Sequence, residues 1–387
     1  MKIGKLICLL SAAVMLYGCA SDSSSAQDAG SRPSETSVSV TSAAESAKAE
    51  SKAASSSGSA ADSSSAADPS EEDMPPSLSE PDSSEAEAKP RTDITPLMWE
   101  VKSDSGGRLV LLGSIHVMAK EAYPLPECIT GALDAADALA VECDVVKAET
   151  DYSLQLKEVQ AMYYPSGETI DEHISATVLA NARAFAKEFG MDLSLYSRCK
   201  PWVHISLLDS LVVDATGLRR ELGLDRKLLE YAKQKNKEII EVESAESQVD
   251  MQMSFSDTIT ELQLADYKPE DKDEIIQLTK DHFTAWCKGD YEFFDLQYNP
   301  ERAGEAAAEV TVPLSVEQIN AIEEYNETMY SSRNRLMADK ADELLKAGRN
   351  VLFVVGEAHF VGSGGIIGLL KSKGYEVTQI QTEQVNK

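Results

Sequence analysis

Two stretches decide how this chain folds: LVLLGSIHV at residues 109–117 and VLFVVGEAHFVG at residues 351–362. Each begins as an aliphatic run typical of a buried β-strand, and each run ends at a glycine that a histidine follows three residues later. Because glycine has no Cβ, the backbone can turn sharply at the strand end and expose the following side chains. We therefore expect His116 and His359 to meet at the ends of neighbouring strands.

The other patterns of the region predict a single sheet interrupted by helices. A hairpin is expected from residues 97–102 and 108–112, and further strands are expected at residues 138–144, 238–243 and 375–380. Residues 154–264 are chiefly helical in pattern. The fold class is therefore α/β or α+β, with a central mixed sheet and a large helical insert between the N- and C-terminal strand-Gly-x-x-His units.

Carboxylates end two of the expected strands. Glu142 follows an apolar strand and is expected on the same sheet edge as the histidines, where it could ligate a metal or accept a proton from water. Glu243 ends another strand, and a place in the site and a solvated strand end fit it equally well. Two imidazoles and a carboxylate form a site for a divalent metal ion, Mn²⁺, Co²⁺ or Zn²⁺, and leave room for a bound water.

Arg333 has two interpretations, because residues 314–347 contain neither Gly nor Pro and form one long helix or two joined closely. If a helix begins at Ser331, Arg333 is a cation in a first turn, which opposes the helix dipole and indicates an anionic partner. If the helix runs unbroken from Ser315, Arg333 is an ordinary exposed or salt-bridged residue. His173, His204 and His282 lack the glycine-strand context, and we interpret them as surface or packing histidines.

The N-terminus is typical of a bacterial lipoprotein. Lys2 and Lys5 precede an apolar stretch, and LYGC at residues 16–19 matches a lipobox. Residues 1–19 are therefore predicted to be a signal peptide whose cleavage leaves Cys19 lipidated, which anchors an extracytoplasmic protein to the cell membrane. The alternative is an ordinary cleaved signal peptide with a chance cysteine.

Residues 20–95 are predicted to be a disordered tether, because they are rich in Ser, Ala and acidic residues and contain few large apolar ones. The folded domain is then 96–387. The chain carries a formal net charge of −29, which argues against binding to nucleic acid. The four cysteines of the domain have no Cys-x-x-Cys spacing, so one or two disulfides and isolated thiols both remain open: Cys128, Cys143, Cys199 and Cys287.

These motifs together resemble the TraB/PrgY/GumN family. The resemblance rests on the two Gly-x-x-His strings, on Glu142 at a strand end, and on further short matches that extend it over residues 97–380. The further matches are Pro201-Trp202, Leu222-Gly-Leu-Asp225, Glu243 with Gln248, and Arg333-Asn334. The family is similar to the animal Tiki proteins, which are membrane-tethered metalloproteases, and it includes bacterial proteins that limit peptide-pheromone signalling.

The resemblance implies a fold akin to erythromycin esterase and ChaN-like proteins, with the site on one edge of the sheet. It implies that His116 and His359 are ligand or catalytic histidines, that Glu142 is their acidic partner and that Arg333 contacts an oxyanion or the substrate. It gives no role to Glu357, which stands where the family more often has a small residue. The acidic tether is not part of the family pattern.

The function expected from the sequence is a lipid-anchored extracytoplasmic metal-dependent hydrolase, a peptidase that acts on peptides or protein termini. Glu142 would shuttle protons and Arg333 would stabilise the oxyanion. The alternative is a non-catalytic surface protein that binds and sequesters a peptide signal. Hydrolysis of a small ester is a weaker third hypothesis that rests on fold analogy alone.

Overall fold

The computed structural model describes residues 93–302 and 313–380. The predicted signal peptide, the lipidation site at Cys19 and all but the last residues of the predicted tether lie outside these ranges. The predicted start of the domain at residue 96 stays a prediction. In the described part of the chain, no helix has the length and apolar character needed to cross a membrane.

Six strands form one mixed sheet in the order β4-β3-β5-β2-β1-β6. The hairpin at its N-terminal end is antiparallel, as the sequence predicts, and β6 pairs antiparallel with β1. The strands are β1 (Met98–Lys102), β2 (Arg108–Ser114), β3 (Ala138–Val141), β4 (Glu238–Glu241), β5 (Asn350–Gly356) and β6 (Val377–Gln379).

The two strands that carry the Gly-x-x-His strings are parallel neighbours at the centre of the sheet. The pairing of β2 with β5 runs from Arg108 opposite Asn350 to Ser114 opposite Gly356. On its other side β5 pairs parallel with β3, which pairs parallel with β4. Every residue from 351 to 355 is fully buried, which explains the unbroken apolar run, because a central strand is covered on both faces. The predicted mixed sheet is confirmed.

Helices fill the chain between the strands, with the largest helical insert between β4 and β5. They are α1 (Glu127–Ala135), α2 (Val145–Ala148), α3 (Tyr152–Ala161), α4 (Ala176–Lys187), α5 (Pro201–Thr216), α6 (Leu224–Gln234), α7 (Ala245–Ser254), α8 (Asp257–Leu264), α9 (Lys272–Lys288), α10 (Tyr291–Tyr298), α11 (Val316–Asn326), α12 (Ser332–Lys346) and α13 (Ile366–Ser372). Helices α6 and α12 pack against the sheet, whereas α4, α5 and α8 contribute to a separate apolar core.

Helices α11 and α12 are continuous. Ser315 caps α11 in a capping box with Gln318, and a π-helical turn, Glu327–Ser331, joins α11 to α12 without a break in helical backbone. Arg333 is therefore not in a first turn, and the interpretation based on the helix dipole is wrong. Arg333 is instead buried, and its guanidinium group forms salt bridges with Glu142 and Glu243.

Candidate active site at the strand ends

A cavity of about 130 Å³ opens where β2, β3 and β5 end. His116 follows β2, Glu142 follows β3 and His359 follows β5, because parallel strands place their carboxyl ends at one edge of the sheet. Arg333 lines the same cavity from α12. The structure therefore brings together these four residues, which the sequence placed in one site, and Glu243 lies directly behind them.

Close approaches explain the glycines of the two repeated strings, most strictly at Gly113. A Cβ on Gly113 would lie 2.9 Å from the Cβ of Glu357, and a Cβ on Gly356 would lie 3.3 Å from Oε1 of Glu142. The first distance is shorter than two carbon atoms tolerate, and the second would crowd the carboxylate. Glycine thus allows the two strand ends to approach each other and the side chains at the cavity.

Arg333 joins the two strand-end carboxylates. Its Nε donates to Oε1 of Glu243 at 2.8 Å, and its Nη2 donates to Oε2 of Glu243 at 2.7 Å and to Oε2 of Glu142 at 2.8 Å. Its Nη1 donates to the carbonyl of Met329 at 3.2 Å. Such charge-assisted pairs are strong when they are buried and well aligned. The contact of Arg333 with an oxyanion stays a prediction, because in this structure the guanidinium is engaged by carboxylates.

Glu142 is held by three donors. Its Oε1 accepts from the backbone N–H of Gly356 at 2.7 Å, and its Oε2 accepts from Arg333 and, at 3.0 Å, from Nε2 of Gln248. Burial disfavours its charge, but Arg333, the two histidines and the Gly356 N–H outweigh burial and lower the pKa of Glu142 to about 2. Glu142 is therefore a fixed negative charge near neutral pH, poorly suited to exchange protons.

His359 is oriented by Asn334. Nδ1 of His359 lies 2.6 Å from Oδ1 of Asn334, whose Nδ2 donates to the carbonyl of Gly364 at 3.0 Å. The bond to Gly364 fixes the amide orientation, so Nδ1 carries the proton and Nε2 keeps its lone pair. Burial, reinforced by the Arg333 cation, lowers the pKa of His359 to about 3, and the ring is neutral. Nε2 lies 3.9 Å from Oε1 of Glu142.

His116 is oriented by Asp225. The Leu222-Gly-Leu-Asp segment passes directly beneath the histidine, and a Cβ on Gly223 would lie 2.5 Å from the His116 carbonyl oxygen. This approach brings Oδ2 of Asp225, in the first turn of α6, to 3.0 Å from Nδ1 of His116. Burial opposes a charge on His116, but Asp225, Glu142 and Glu357 outweigh burial and raise the pKa of His116 to about 9.

Several residues at the site had no functional role predicted from the sequence. Glu357 and Tyr330 line the cavity, and burial raises the pKa of Glu357 to about 8. His282, which the sequence assigned to packing, also lines the cavity, although its two ring nitrogens contact the Leu278 carbonyl and the Tyr298 hydroxyl. The clue to Glu357 was its position inside the second Gly-x-x-His string.

The two histidines can supply donor atoms for a metal ion, although His116, whose pKa is raised to about 9, must release its Nε2 proton when the ion binds, and the arrangement of ligands is incomplete. Metal-binding histidines commonly present one ring nitrogen while a carboxylate or carbonyl oxygen holds the other. Asn334 holds His359 in this way through a hydrogen bond, and Asp225 lies at ion-pair distance from Nδ1 of His116. Within residues 93–302 and 313–380, however, no three His, Cys, Asp or Glu side chains are arranged to hold a metal. The four described cysteines are free thiols, which agrees with the second of the two alternatives that the sequence left open.

Sequence comparisons relate the chain to one protein family and to a few known proteins. The sequence profile of the TraB/PrgY/gumN family matches residues 97–379. Uncharacterized protein YbaP from Escherichia coli strain K12 is 35% identical over 147 residues, which are 38% of this chain and 52% of that protein. A metalloprotease TIKI homolog from Amphimedon queenslandica is 22% identical over 324 residues, 74% of this chain and 62% of that protein.

The protein from Shigella flexneri that bears the YbaP name matches to the same extent. The chain thus spans about half the length of the curated YbaP proteins that it matches. No solved structure matches the chain. Kinship of the fold with erythromycin esterase and ChaN-like proteins therefore stays a prediction.

Proposed function

This chain belongs to the TraB/PrgY/gumN family, and from that membership and the cavity at its strand ends we propose that it is a metal-dependent hydrolase that cleaves peptides or protein termini. The observation that carries the proposal is that two histidines at one cavity each have a side-chain oxygen beside Nδ1. Nδ1 of His116 faces Asp225 and Nδ1 of His359 faces Asn334, so each ring presents Nε2 beside one cavity. The similarity to a protein named as a metalloprotease supports the same reaction class.

In this proposal His116 and His359 would hold a divalent ion, Mn²⁺, Co²⁺ or Zn²⁺, together with Glu142, whose Oε1 lies 3.9 Å from Nε2 of His359. When bound, the ion supplies a polarised water for attack on an amide carbonyl. Glu142 and Glu243 place negative charge at the strand ends, and Arg333 fixes both carboxylates. Arg333 thereby acts as a positioning residue, in addition to the oxyanion contact predicted from the sequence.

The location that we propose is extracytoplasmic, with lipid at Cys19 as the membrane anchor. The support for this part is the lipobox and the apolar N-terminal stretch. Mass spectrometry of the N-terminal fragment from purified membranes tests it, since acyl chains on Cys19 add a defined mass. An unmodified N-terminus that precedes residue 19 would contradict it.

The proposed activity is tested on the purified full-length chain. Metal content is measured by mass spectrometry, and cleavage of a peptide library is measured with and without chelator. His116→Ala and His359→Ala should each lose bound metal and at least about 100-fold in turnover, because loss of an outer partner of a metal ligand alone costs about 10- to 100-fold. His173→Ala is the matched control, since its imidazole contacts Asp257 and Glu168 and is absent from the cavity wall.

Equal metal content and equal turnover in the two variants and the wild type would contradict the proposal. If turnover resists the chelator but is lost in both variants, the protein is a hydrolase that does not need a metal ion. Both outcomes require that the variants be folded. Circular dichroism checks this, because folded variants should unfold at the same urea concentration as the wild type.

A second candidate function is a non-catalytic protein that sequesters a peptide at the cell surface. One observation favours it: both oxygens of Glu142 are engaged by donors, and its pKa of about 2 suits a fixed charge rather than a proton carrier. Peptide that is captured and released intact by the metal-loaded protein would establish this function and exclude the first.

A further inference from the structure

The cavity has two kinds of wall. Charged and polar groups from the strand ends form one side, and helices α5 and α9 and the π turn form the other. The helical side is apolar and includes Val212, Val213, Ile275, Phe283 and Met329, which we call the apolar lobe. Val212, Val213 and Met329 are 3%, 5% and 4% exposed, so this part of the lobe is shielded from bulk water, whereas Ile275 and Phe283 are partly exposed.

Most polar groups at the margin of the lobe are paired within the protein, but the buried hydroxyl of Tyr330, in the π turn, has no hydrogen-bond partner among the described residues. The Tyr267 hydroxyl donates to Oδ1 of Asp209 at 2.5 Å. Nε2 of His282 lies 2.6 Å from the Tyr298 hydroxyl, and Nδ1 of His282 lies 3.2 Å from the Leu278 carbonyl. Burial lowers the pKa of His282 to about 4, so this imidazole brings no charge to the lobe at neutral pH. The paired groups favour an apolar occupant for the lobe, and the Tyr330 hydroxyl is left for a backbone polar group of the ligand.

Val213 is the residue best placed to define the lobe. Val212 packs into the core of the helical insert. Val213 is nearly as buried, yet it belongs to none of the apolar cores of the described chain and lines the cavity. Because Val213 lines the cavity and lies outside these cores, a substitution there changes the lobe with the least effect on the cores.

We propose that the apolar lobe is a specificity pocket that receives one bulky apolar side chain, such as Leu, Met or Phe, of a peptide whose backbone lies across the ends of β2 and β5. This inference rests on the proposed function for the identity of the ligand as a peptide. The size sets an upper limit, because the whole cavity, which the lobe shares with the strand-end groups, has about 130 Å³, and an apolar cavity of about 150 Å³ holds one benzene ring. The lobe therefore has room for no more than one such side chain. The strand-end groups next to the lobe would then face the peptide bonds that flank the bound side chain.

The test uses pentapeptides Ala-Ala-X-Ala-Ala, with X as Leu, Met, Phe, Ser, Asp or Lys. Binding to the wild-type full-length chain is measured by calorimetry, and cleavage is measured by mass spectrometry. Leu, Met and Phe should be preferred over Ser by about 10- to 100-fold, in affinity and, if cleavage occurs, in kcat/KM, because a large apolar side chain leaves water.

Val213→Phe fills the lobe and should reduce the preference for Phe over Ser by at least about tenfold. Val316→Phe is the matched control, since Val316 is 74% exposed and should leave the preference unchanged. If the larger residue prevents folding, Val213→Thr keeps the shape and adds a hydroxyl, and it should reduce the same preference several-fold.

The outcomes separate the two proposals. Preferred binding of the apolar peptides without any cleavage would support the specificity pocket and contradict the proposed hydrolase activity. Cleavage or binding that is indifferent to X would overturn the lobe and leave the hydrolase standing. A preference for Lys would also overturn it, because a cationic occupant would show that the Asp209 carboxylate, rather than the aliphatic wall, selects the ligand.

Discussion

Replacement of Arg333 tests the architecture of the site most directly. Arg333→Met keeps much of the side-chain volume but removes the cation that holds Glu142 and Glu243, whose side chains are 12% and 7% exposed. Three charge-assisted contacts are lost, and each such bond contributes about 1.5–3 kcal/mol. Two of them share Nη2, and Glu142 keeps the Gly356 N–H and Gln248, so we expect a loss of about 3 kcal/mol in the free energy of unfolding, near the lower end for a broken buried pair.

The loss should depend on pH. In the wild type the pKa of Glu142 is depressed, so its contribution to stability is complete above about pH 4.5 and is lost as the pH falls towards about 2. Without Arg333, burial raises the pKa of Glu142 relative to the wild type, and protonation then relieves the variant. The difference in unfolding free energy should therefore be largest near pH 7.5 and should shrink towards pH 4.5.

Urea denaturation of the full-length chain, followed by circular dichroism at both pH values, measures this difference. Arg335→Met is the control, because Arg335 pairs with Glu327 at the surface and is 56% exposed, and it should cost less than about 1 kcal/mol. The double variant Arg333→Met with Glu243→Gln should be less destabilised than the sum of the two single variants, since it removes one of the two unpaired charges. A loss below about 1 kcal/mol, or one that is equal at both pH values, would refute the reasoning.

Two further predictions concern buried groups at and away from the site. Asn334→Ala removes the acceptor that fixes the His359 tautomer, so it should lower the free energy of unfolding by about 1–3 kcal/mol and release the Nδ1 proton, which nitrogen NMR of labelled histidine detects; an unchanged Nδ1–H form would contradict it. Glu158 is 4% exposed and burial raises its pKa to about 7, so the folded state binds the proton more tightly than the unfolded state. Wild-type stability should therefore fall as the pH rises from about 4.5 to about 7, and Glu158→Gln should remove this slope and gain about 2 kcal/mol at pH 8; parallel pH profiles of wild type and variant would show that burial of Glu158 has no such effect.

Much of the sheet could be predicted from the sequence, because its evidence is local. The apolar runs before Gly113 and Gly356 require buried strands, and the turn after Lys102 requires a hairpin. The long α11–α12 segment was also expected, but the choice between one helix and two depended on the π turn, which no short pattern revealed. Because the helix is continuous, the position of Arg333 is explained by its salt bridges and not by the helix dipole.

The candidate site could be predicted only in part. His116, Glu142 and His359 follow strands, and the sequence therefore located them correctly at one edge of the sheet. Their partners are different: Gln248 contacts Glu142 from 106 positions away, and Arg333 contacts it from 191 positions away. Family resemblance pointed to these residues, but the bonds that they make could not be deduced from spacing.

The sequence by itself thus determined which strands are central, where they end and which histidines stand at those ends, because alternation, glycine and burial act over a few residues. The tertiary structure alone decided the rest. It set the protonation of His116 through Asp225 and the tautomer of His359 through Asn334, paired Arg333 with two carboxylates, and built the apolar lobe from helices distant in the chain. These properties depend on distances of a few ångströms between segments that only the packed fold brings together.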